Sequence, residues 1–206
     1  MRKEILVILL LFMASMTYAQ VLTFDKARFR TGDNPEWKNA DFDDSGWKTL
    51  KTTMKWGEQG PVKTNAYGWY RIKFVLPQSM LDNSDLKQTI NIYLGKIDDA
   101  DEAFFNGVRI GGTGSMPDSP QGYKEAFDAE REYSIPAGHK AVRWGQENVI
   151  AVRVYNGGGD GGMYFQAPRL SVPSRVDGLM MTFGELRVKG KDACKIRIKN
   201  LSLIHI

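Results

Sequence analysis

The alternation of apolar and polar side chains constrains this chain most, because along several segments it has a period of two residues. In WYRIKFVLP, residues 69–77, apolar residues alternate with basic ones and the run ends on a proline. Successive side chains of a β-strand point to opposite faces, so this pattern predicts a half-buried strand. Its apolar positions are Tyr70, Ile72, Phe74 and Leu76, and its basic positions are Arg71 and Lys73.

Other segments have the same period, and helix signals are scarce. TINIYLG at 89–95 alternates in this way, and NVIAVRVYN at 148–156 places three β-branched residues on one face. Between two apolar runs, Asn106 and Gly107 form the pair that type I′ hairpin turns favour, because both residues tolerate a positive φ. These patterns predict an all-β sandwich. The three β-branched residues are Ile150, Val152 and Val154.

Residues 1–19 have the features of a secretory signal peptide in the usual order. Arg2 and Lys3 precede an apolar stretch over 5–13, and small residues before Gln20 fit a cleavage site. The apolar stretch is shorter than the roughly 20 residues that a transmembrane helix needs. We therefore expect a soluble mature protein in a periplasm or outside the cell.

Cysteine content and charge narrow the class of protein. Cys194 is the single cysteine, so an internal disulfide cannot form, and for an exported chain this favours a bacterial periplasm or surface. The formal net charge is +4 and no basic block is present, which gives no electrostatic footprint for nucleic acid. We expect no nucleic-acid partner.

The chain divides into four expected segments, the first of which is the signal peptide, 1–19. Residues 20–175 have the size of one domain. Residues 176–200 contain two strand-like runs and are expected to begin a following β-rich segment of a longer protein. LSLIHI at 201–206 is the translation of CTGTCTCTTATACACATC, a transposon-end adapter of sequencing libraries, so we expect these residues to be an artefact.

The segment GKIDDADEAFFNGVRIGG at 95–112 concentrates acidic residues at Asp98, Asp99, Asp101 and Glu102. It lacks the spacing of an EF-hand calcium loop. In an extended strand, Asp99 and Asp101 would share one side and Asp98 would point away. We favour carboxylates that accept backbone N–H groups and order a loop. A cation or sugar contact and a pair of catalytic carboxylates are the alternatives.

The glycine run YNGGGDGGMY at 155–164 is not followed by a helix, so it does not match a phosphate-binding loop. We expect a surface loop at one rim of a binding cleft, with Tyr155 and Tyr164 at its ends. Trp56, beside two glycines, is a candidate for stacking on a sugar ring, although a packing role fits it equally well. With the terminal artefact set aside, His139 is the one histidine, and the sequence shows no Ser-His-Asp set or Cys/His metal cluster.

Several blocks, in order, resemble a known family. They are NPEWKNADFDDSGWKTL, GWYRIKFVLP, LGKIDDADEAFFNGVRIGGTG, REYSIPAG and ENVIAVRVYNGGGDGGMY. Together they resemble the galactose-binding-like jelly roll of family 2 glycoside hydrolases, in the version found in sialate O-acetylesterases and related secreted bacterial hydrolases. The resemblance runs from about Asn34 to Leu170. It implies an all-β jelly-roll β-sandwich with loops gathered on one rim.

The function that the resemblance implies depends on what surrounds the domain. In sialate esterases the jelly roll is inserted inside the catalytic domain, whereas here we expect only a signal peptide before it. We therefore expect a noncatalytic carbohydrate-binding or substrate-positioning module at the N-terminus of a secreted glycan-degrading hydrolase, with a glycosidase or carbohydrate-esterase domain later in the full-length chain. An extracytoplasmic ligand-sensing domain of a membrane receptor and a small enzyme in its own right are the alternatives.

The expected partner is a glycan or oligosaccharide bound at the rim, with no cofactor and no catalytic residue. Structural calcium at the acidic segment is the inorganic alternative that the sequence leaves open. The expected carbohydrate-binding residues are Trp56, Asp99, Asp101, Tyr155, Asn156, Asp160 and Tyr164.

Overall fold

The computed structural model describes residues 20–60, 64–82, 89–173, 179–188 and 191–200. Within these ranges the chain forms thirteen strands, one short α-helix and two 3-10 helices. The strands are β1 (Gln20–Thr23), β2 (Lys26–Thr31), β3 (Lys48–Lys51), β4 (Ala66–Val75), β5 (Thr89–Asp98), β6 (Ala100–Phe105), β7 (Val108–Thr113), β8 (Glu130–Pro136), β9 (Glu147–Asn156), β10 (Gly162–Tyr164), β11 (Arg169–Val172), β12 (Leu179–Val188) and β13 (Lys191–Asn200). The α-helix α1 is Gln78–Asp82, and the 3-10 helices are Pro35–Lys38 and Trp56–Glu58. The predictions for 1–19 and 201–206 lie outside the described residues.

Two antiparallel sheets form the body of the fold. The six-stranded sheet has the order β3-β2-β4-β9-β6-β7. In the five-stranded sheet, β5 is central: β8 pairs along one edge, β10 and β11 pair along the other, and β1 adds to β11. The inner faces of the two sheets share one apolar core, which confirms the predicted all-β jelly-roll sandwich. β12 and β13 form a separate two-stranded sheet.

Alternate residues of β4, β5 and β9 point into the core between the sheets, as their period predicts. The buried members are Tyr70, Ile72 and Phe74 from β4, Ile90, Ile92 and Leu94 from β5, and Ile150, Val152 and Val154 from β9. Full burial of one such side chain stabilises a fold by about 1.5–3 kcal/mol. The apolar core can therefore hold this domain together without a disulfide.

The outer face of the six-stranded sheet is also covered, so β4 is not half-buried as its sequence predicts. Trp69 and Arg71 are each 1% exposed, although they point away from the core. Residues 32–47 lie over them and add Trp37 and Trp47 to a second apolar cluster. The alternation of β4 thus predicts its two faces correctly, but it does not predict that the outer one is buried.

Arg71 holds this covering segment in place. Its guanidinium pairs with Asp44 at 2.8 Å. It also donates hydrogen bonds to the carbonyl oxygens of Asn39 at 2.8 Å and Phe42 at 3.2 Å. Buried carbonyl groups are costly unless they find donors, and this segment has no sheet partner of its own. One buried cation therefore supplies the hydrogen bonds that a strand ladder would otherwise provide.

Asn106 and Gly107 form the predicted hairpin turn between β6 and β7. Their φ angles are 46° and 84°, the positive region that a type I′ turn requires. The turn lies at the opposite end of β6 from the acidic segment. The strand therefore separates two features that are close neighbours in the sequence.

Candidate ligand-binding rim

The acidic segment crosses from one sheet to the other at one end of the sandwich. β5 ends at Asp98 in the five-stranded sheet, Asp99 forms a bend, and β6 begins at Ala100 in the six-stranded sheet. The end of β9 lies beside this bend, since the Asp99 N–H donates to the carbonyl oxygen of Tyr155 at 3.1 Å. The glycine run between β9 and β10 is therefore at the same end. We call this end of the sandwich the rim.

Asp98 forms an ion pair with a lysine that the sequence prediction did not include. Lys55 Nζ lies 3.0 Å from Asp98 Oδ2. Burial and the adjacent Asp99 carboxyl raise the pKa of Asp98 to about 6, while Lys55 acts in the opposite direction. Lys55 Nζ also lies 4.7 Å from the centroid of the Tyr164 ring, within cation–π range. A carboxyl that changes charge near pH 6 is thus placed beside a cation and an aromatic ring.

Asp99 orders the glycine loop, as the loop-ordering interpretation predicts. Its Oδ2 accepts the N–H of Gly157 at 2.7 Å. Burial and a hydrogen bond to the same carboxylate raise the pKa of Tyr123. The expectation that Asp98 points away from Asp99 is wrong, because the two carboxyls lie within hydrogen-bonding reach of each other. The alternation of a strand does not apply here, since Asp99 lies in a bend.

Asp101 lies inside the sandwich, and the predicted ligand contact does not fit its position. Its side chain is 0% exposed and pairs with Arg131 at 2.8 Å. It also accepts the hydroxyl of Tyr133 at 2.8 Å. Arg131 donates in turn to the carbonyl oxygens of Ile97 and Asp99, both at 2.7 Å. The buried pair therefore fixes the backbone of the acidic segment.

The glycine loop between β9 and β10 is packed at both ends and exposed in the middle. Asn156 is 0% exposed, and its Oδ1 accepts the N–H of Gly158 at 3.0 Å. Gly161 has a φ of +64°, and a Cβ at this position would lie 2.6 Å from the ring of Trp56. Glycine is therefore required there for both its conformation and its size. Residues 158–160 are exposed.

Trp56 belongs to the core. It is 5% exposed, and its Nε1 donates to the hydroxyl of Tyr70 at 2.6 Å. Its ring packs on Phe29 with a centroid distance of 5.1 Å. The sequence leaves open whether Trp56 packs in the core or stacks on a sugar ring. These contacts correspond to a packing role, and they leave little of the ring accessible to a sugar.

The tyrosines at the ends of the glycine loop differ in exposure. Tyr155 is 9% exposed and packs on Tyr67 and Tyr123, with centroid distances of 4.9 and 5.2 Å. Tyr164 is half-buried and donates its hydroxyl to the carbonyl oxygen of Phe127 at 2.8 Å. Tyr123 is 40% exposed, so its ring is available beside the loop.

The groups that the rim offers to a ligand therefore differ from the predicted set. We call the accessible set the rim surface; it comprises Lys55, Tyr123, Gly158, Gly159, Asp160 and Tyr164. We call the buried set beneath it the rim support; it comprises Trp56, Asp98, Asp99, Asp101, Arg131, Tyr155 and Asn156. Two predicted residues, Asp160 and Tyr164, belong to the rim surface, and five belong to the support.

Sequence reasoning missed Lys55 and Tyr123 because long-range packing brings them to the rim. Tyr123 lies in an irregular loop, which is closed by backbone hydrogen bonds between Ser115 and Lys124. Lys55 precedes the 3-10 helix Trp56–Glu58, in a stretch without periodicity. A lone lysine or tyrosine in such a stretch carries no local signal of a site.

The chemistry available at the rim is that of hydrogen bonding. Across the ranges that the structure describes, no three His, Cys, Asp or Glu side chains are placed to hold a metal ion. His139 lies in the loop after β8, at the opposite end, where its Nδ1 accepts the N–H of Ala141 at 3.1 Å. The helices in those ranges are too short and too polar to span a membrane. The rim surface offers ammonium, carboxylate, phenol and peptide groups, all of which can form hydrogen bonds.

The fold recurs in solved structures of family 2 glycoside hydrolases. A family 2 member from Bacteroides cellulosilyticus gives a TM-score of 0.56, with 22% identity over 79% of this chain. The β-glucuronidase of Bacteroides uniformis gives 0.55, with 18% identity over 89%. That of Ruminococcus gnavus gives 0.52, with 13% identity over 88%. At these identities the likeness shows a shared fold, and the predicted link to sialate esterases stays a prediction.

This chain spans only a part of those enzymes. It covers 22% of the Bacteroides cellulosilyticus and Bacteroides uniformis chains and 34% of the Ruminococcus gnavus chain. No protein-family model matches the sequence, and no curated protein matches it. In each structural neighbour the shared fold is therefore one part of a larger polypeptide.

Proposed function

We propose that this chain is a noncatalytic carbohydrate-binding or substrate-positioning module of a larger, secreted glycan-degrading hydrolase. The observation that carries the proposal is the fold, which corresponds to only 22% to 34% of the chains of the hydrolases that share it. One of the neighbours is named as a family 2 glycosyl hydrolase and two are named as β-glucuronidases. Their chemistry favours a glycan as the ligand of this module.

The rim surface has the groups that a sugar needs. Asp160 and the peptide groups of residues 158 and 159 can accept and donate hydrogen bonds, and the exposed ring of Tyr123 can pack on the apolar face of a sugar. The rim support holds these groups in place, since Asp99 anchors the loop at Gly157. Partly hydrated contacts of this kind give weak affinity, because desolvation and ordering offset much of the gain. We expect binding to a polymer or branched glycan and not tight capture of a monosaccharide.

The wider organisation is part of the proposal. Residues 1–19 would direct export, with cleavage before Gln20, and residues 20–175 would form the module. Residues 176–200, which include β12 and β13, would begin the next β-rich segment. The catalytic domain would follow in the full-length protein, and LSLIHI at 201–206 would be an artefact. The mature protein would be periplasmic or extracellular.

Glycan binding is tested with purified residues 20–200 in native gels that contain a soluble polysaccharide. We expect retardation by at least one polysaccharide. The double variant Tyr123→Ala/Asp160→Ala should lower the affinity about tenfold or more, because it removes a stacking ring and a charged hydrogen-bonding group. The matched control is Asp41→Ala, because Asp41 is also an exposed aspartate and does not belong to the rim surface. A double variant that binds like this control would contradict the proposed role of the rim.

The noncatalytic part of the proposal has its own test. Residues 20–200 should hydrolyse neither aryl glycosides nor acetyl esters, whereas the complete protein should hydrolyse one of these classes. Turnover by residues 20–200 that is abolished by changing one carboxylate would show that the module itself is an enzyme.

A further inference from the structure

The outer face of the five-stranded sheet has a regular arrangement of polar side chains. In the strand register, Tyr93 of β5 pairs with Arg169 of β11 and with Glu132 of β8. Two residues earlier on β5, Asn91 pairs with Ser171 on one side and with Ser134 on the other. Paired residues of an antiparallel sheet point to the same face. The six side chains therefore form two parallel rows of three across the sheet.

These rows enclose a groove along β5. Its volume is about 520 Å³, within the range of small-molecule sites, and all six side chains line it. Asn91 and Tyr93 form its floor. Because a strand rises about 3.4 Å per residue, the two rows are about 7 Å apart. A single sugar ring with its hydroxyl groups can therefore contact both rows.

The row that contains Tyr93 is already held in place. The guanidinium carbon of Arg169 lies 3.9 Å above the centroid of the Tyr93 ring, and its Nη1 donates to Gln166 Oε1 at 3.0 Å. Burial and the nearby Glu130 carboxylate raise the pKa of the Tyr93 hydroxyl, so this hydroxyl stays protonated. Groups that are fixed before binding lose less conformational freedom when a ligand arrives. Tyr93, at 6% exposed, supports the arginine, and the arginine presents its remaining donors to the groove.

The lining of the groove selects the class of ligand. The six side chains include one cation, Arg169, and one anion, Glu132, and the Glu130 carboxylate lies near Tyr93, so the groove has no excess of positive charge. Exposed Asn91, Ser134 and Glu132 offer donors and acceptors side by side. The centres of protein interfaces are depleted in charged residues, whereas this groove contains Arg169 and Glu132, and nucleic acid needs a basic surface. A neutral, hydroxyl-rich ligand matches this lining.

We propose that this groove is a second binding site, and that it takes a neutral oligosaccharide lying along β5 between β8 and β11. The proposal shares its ligand class with the proposed function but uses none of the rim residues. A glycan long enough to reach both sites would bind with an avidity above either site alone.

Four forms of residues 20–200 test the groove. They are the parent, the rim variant Tyr123→Ala/Asp160→Ala, the groove variant Asn91→Ala/Glu132→Ala and the combination of both. Each is run in native gels containing neutral galactan, xylan or glucomannan, or anionic polygalacturonate. Thr23→Ala is the matched control, because Thr23 is exposed and pairs with Arg169 on the next strand, yet it does not line the groove.

We expect the groove variant to bind a neutral polysaccharide about tenfold more weakly than Thr23→Ala, and the combined variant to lose retardation. A groove variant that matches Thr23→Ala while the rim variant binds weakly would overturn the groove and leave the proposed function intact. A rim variant that matches its control while the groove variant binds weakly would support the groove and would contradict the proposed role of the rim. Retardation by polygalacturonate alone, or by none of the polymers, would also overturn the neutral-glycan site.

Discussion

The rim support and the rim surface both contain aspartate and tyrosine residues, and these residues have different roles in the two sets. Asp101 of the support has a side chain that is 0% exposed and paired with Arg131, whereas Asp160 of the surface is exposed at the centre of the glycine loop. Similarly, Tyr155 is packed among other tyrosines, and Tyr123 presents its ring. The difference shows that residue type in a loop does not identify a ligand contact. The partner that a side chain already has decides its role.

The largest effect should come from breaking the buried ion pair of the support. Asp101→Ala leaves the guanidinium of Arg131 buried without its carboxylate, and the removal of one partner from such a pair costs about 3–5 kcal/mol. Urea unfolding of residues 20–200 measures the loss. Asp160→Ala is the matched control and should change the free energy of unfolding by less than about 0.5 kcal/mol. Similar losses for the two variants would remove the distinction between support and surface.

A smaller loss should follow from a methyl group in the packed part of the glycine loop. Gly161→Ala places a Cβ 2.6 Å from the Trp56 ring in a backbone with φ +64°. We expect it to lower the free energy of unfolding by about 1–3 kcal/mol, since a strained backbone conformation alone costs this much. At Gly158 a Cβ meets nothing within 4 Å, so Gly158→Ala should leave stability nearly unchanged. Equal melting temperatures for the two variants would mean that the loop is not packed as described.

The Asp98 carboxyl of the rim support should make the free energy of unfolding depend on pH. The pKa of Asp98 is raised to about 6 from a usual value near 4, so the folded state binds this proton more tightly than the unfolded state. The contribution of Asp98 to stability should therefore fall as the pH rises from about 4 to about 6 and stay constant above. Asp98→Asn removes this titration, although Asp99, Lys55, Asp160 and Tyr164 still surround the position.

The measurement is the free energy of unfolding of the parent and of Asp98→Asn at a series of pH values. The difference between the two proteins should change between about pH 4 and pH 6 and remain level from pH 7 to pH 8. Carboxyl carbon shifts in NMR spectra report the titration of Asp98 directly. Parallel stability curves across the whole range would contradict a raised pKa.

The sequence predicts much of the fold, because strand periodicity and turn chemistry are local. The faces of β4 and β9 and the hairpin at Asn106 and Gly107 follow from a few neighbouring residues. The burial of Arg71 does not, since it depends on the covering segment at 32–47. Alternation indicates which side chains share a face, and it does not indicate what lies above that face.

The rim is less predictable for the same reason. The sequence correctly indicates that Asp99 orders a loop through a backbone N–H. It could not indicate that Asp101 is neutralised by Arg131, which is 30 residues away in the chain. It also could not indicate that Lys55 pairs with Asp98, 43 residues away. Ligand contacts depend on which polar groups remain accessible after such pairs have formed, and those pairs become known only with the fold.

The most direct test of the division between support and surface is an NMR titration of ¹⁵N-labelled residues 20–200 with an oligosaccharide from the polymer that retards the protein. The account predicts that the amide signals of Tyr123, Gly158, Gly159 and Asp160 shift with a common dissociation constant, while those of Asp101 and Arg131 remain nearly unchanged. If no rim amide shifts with any such oligosaccharide, or if the shifts are confined to the groove on the five-stranded sheet, the rim is a purely structural element.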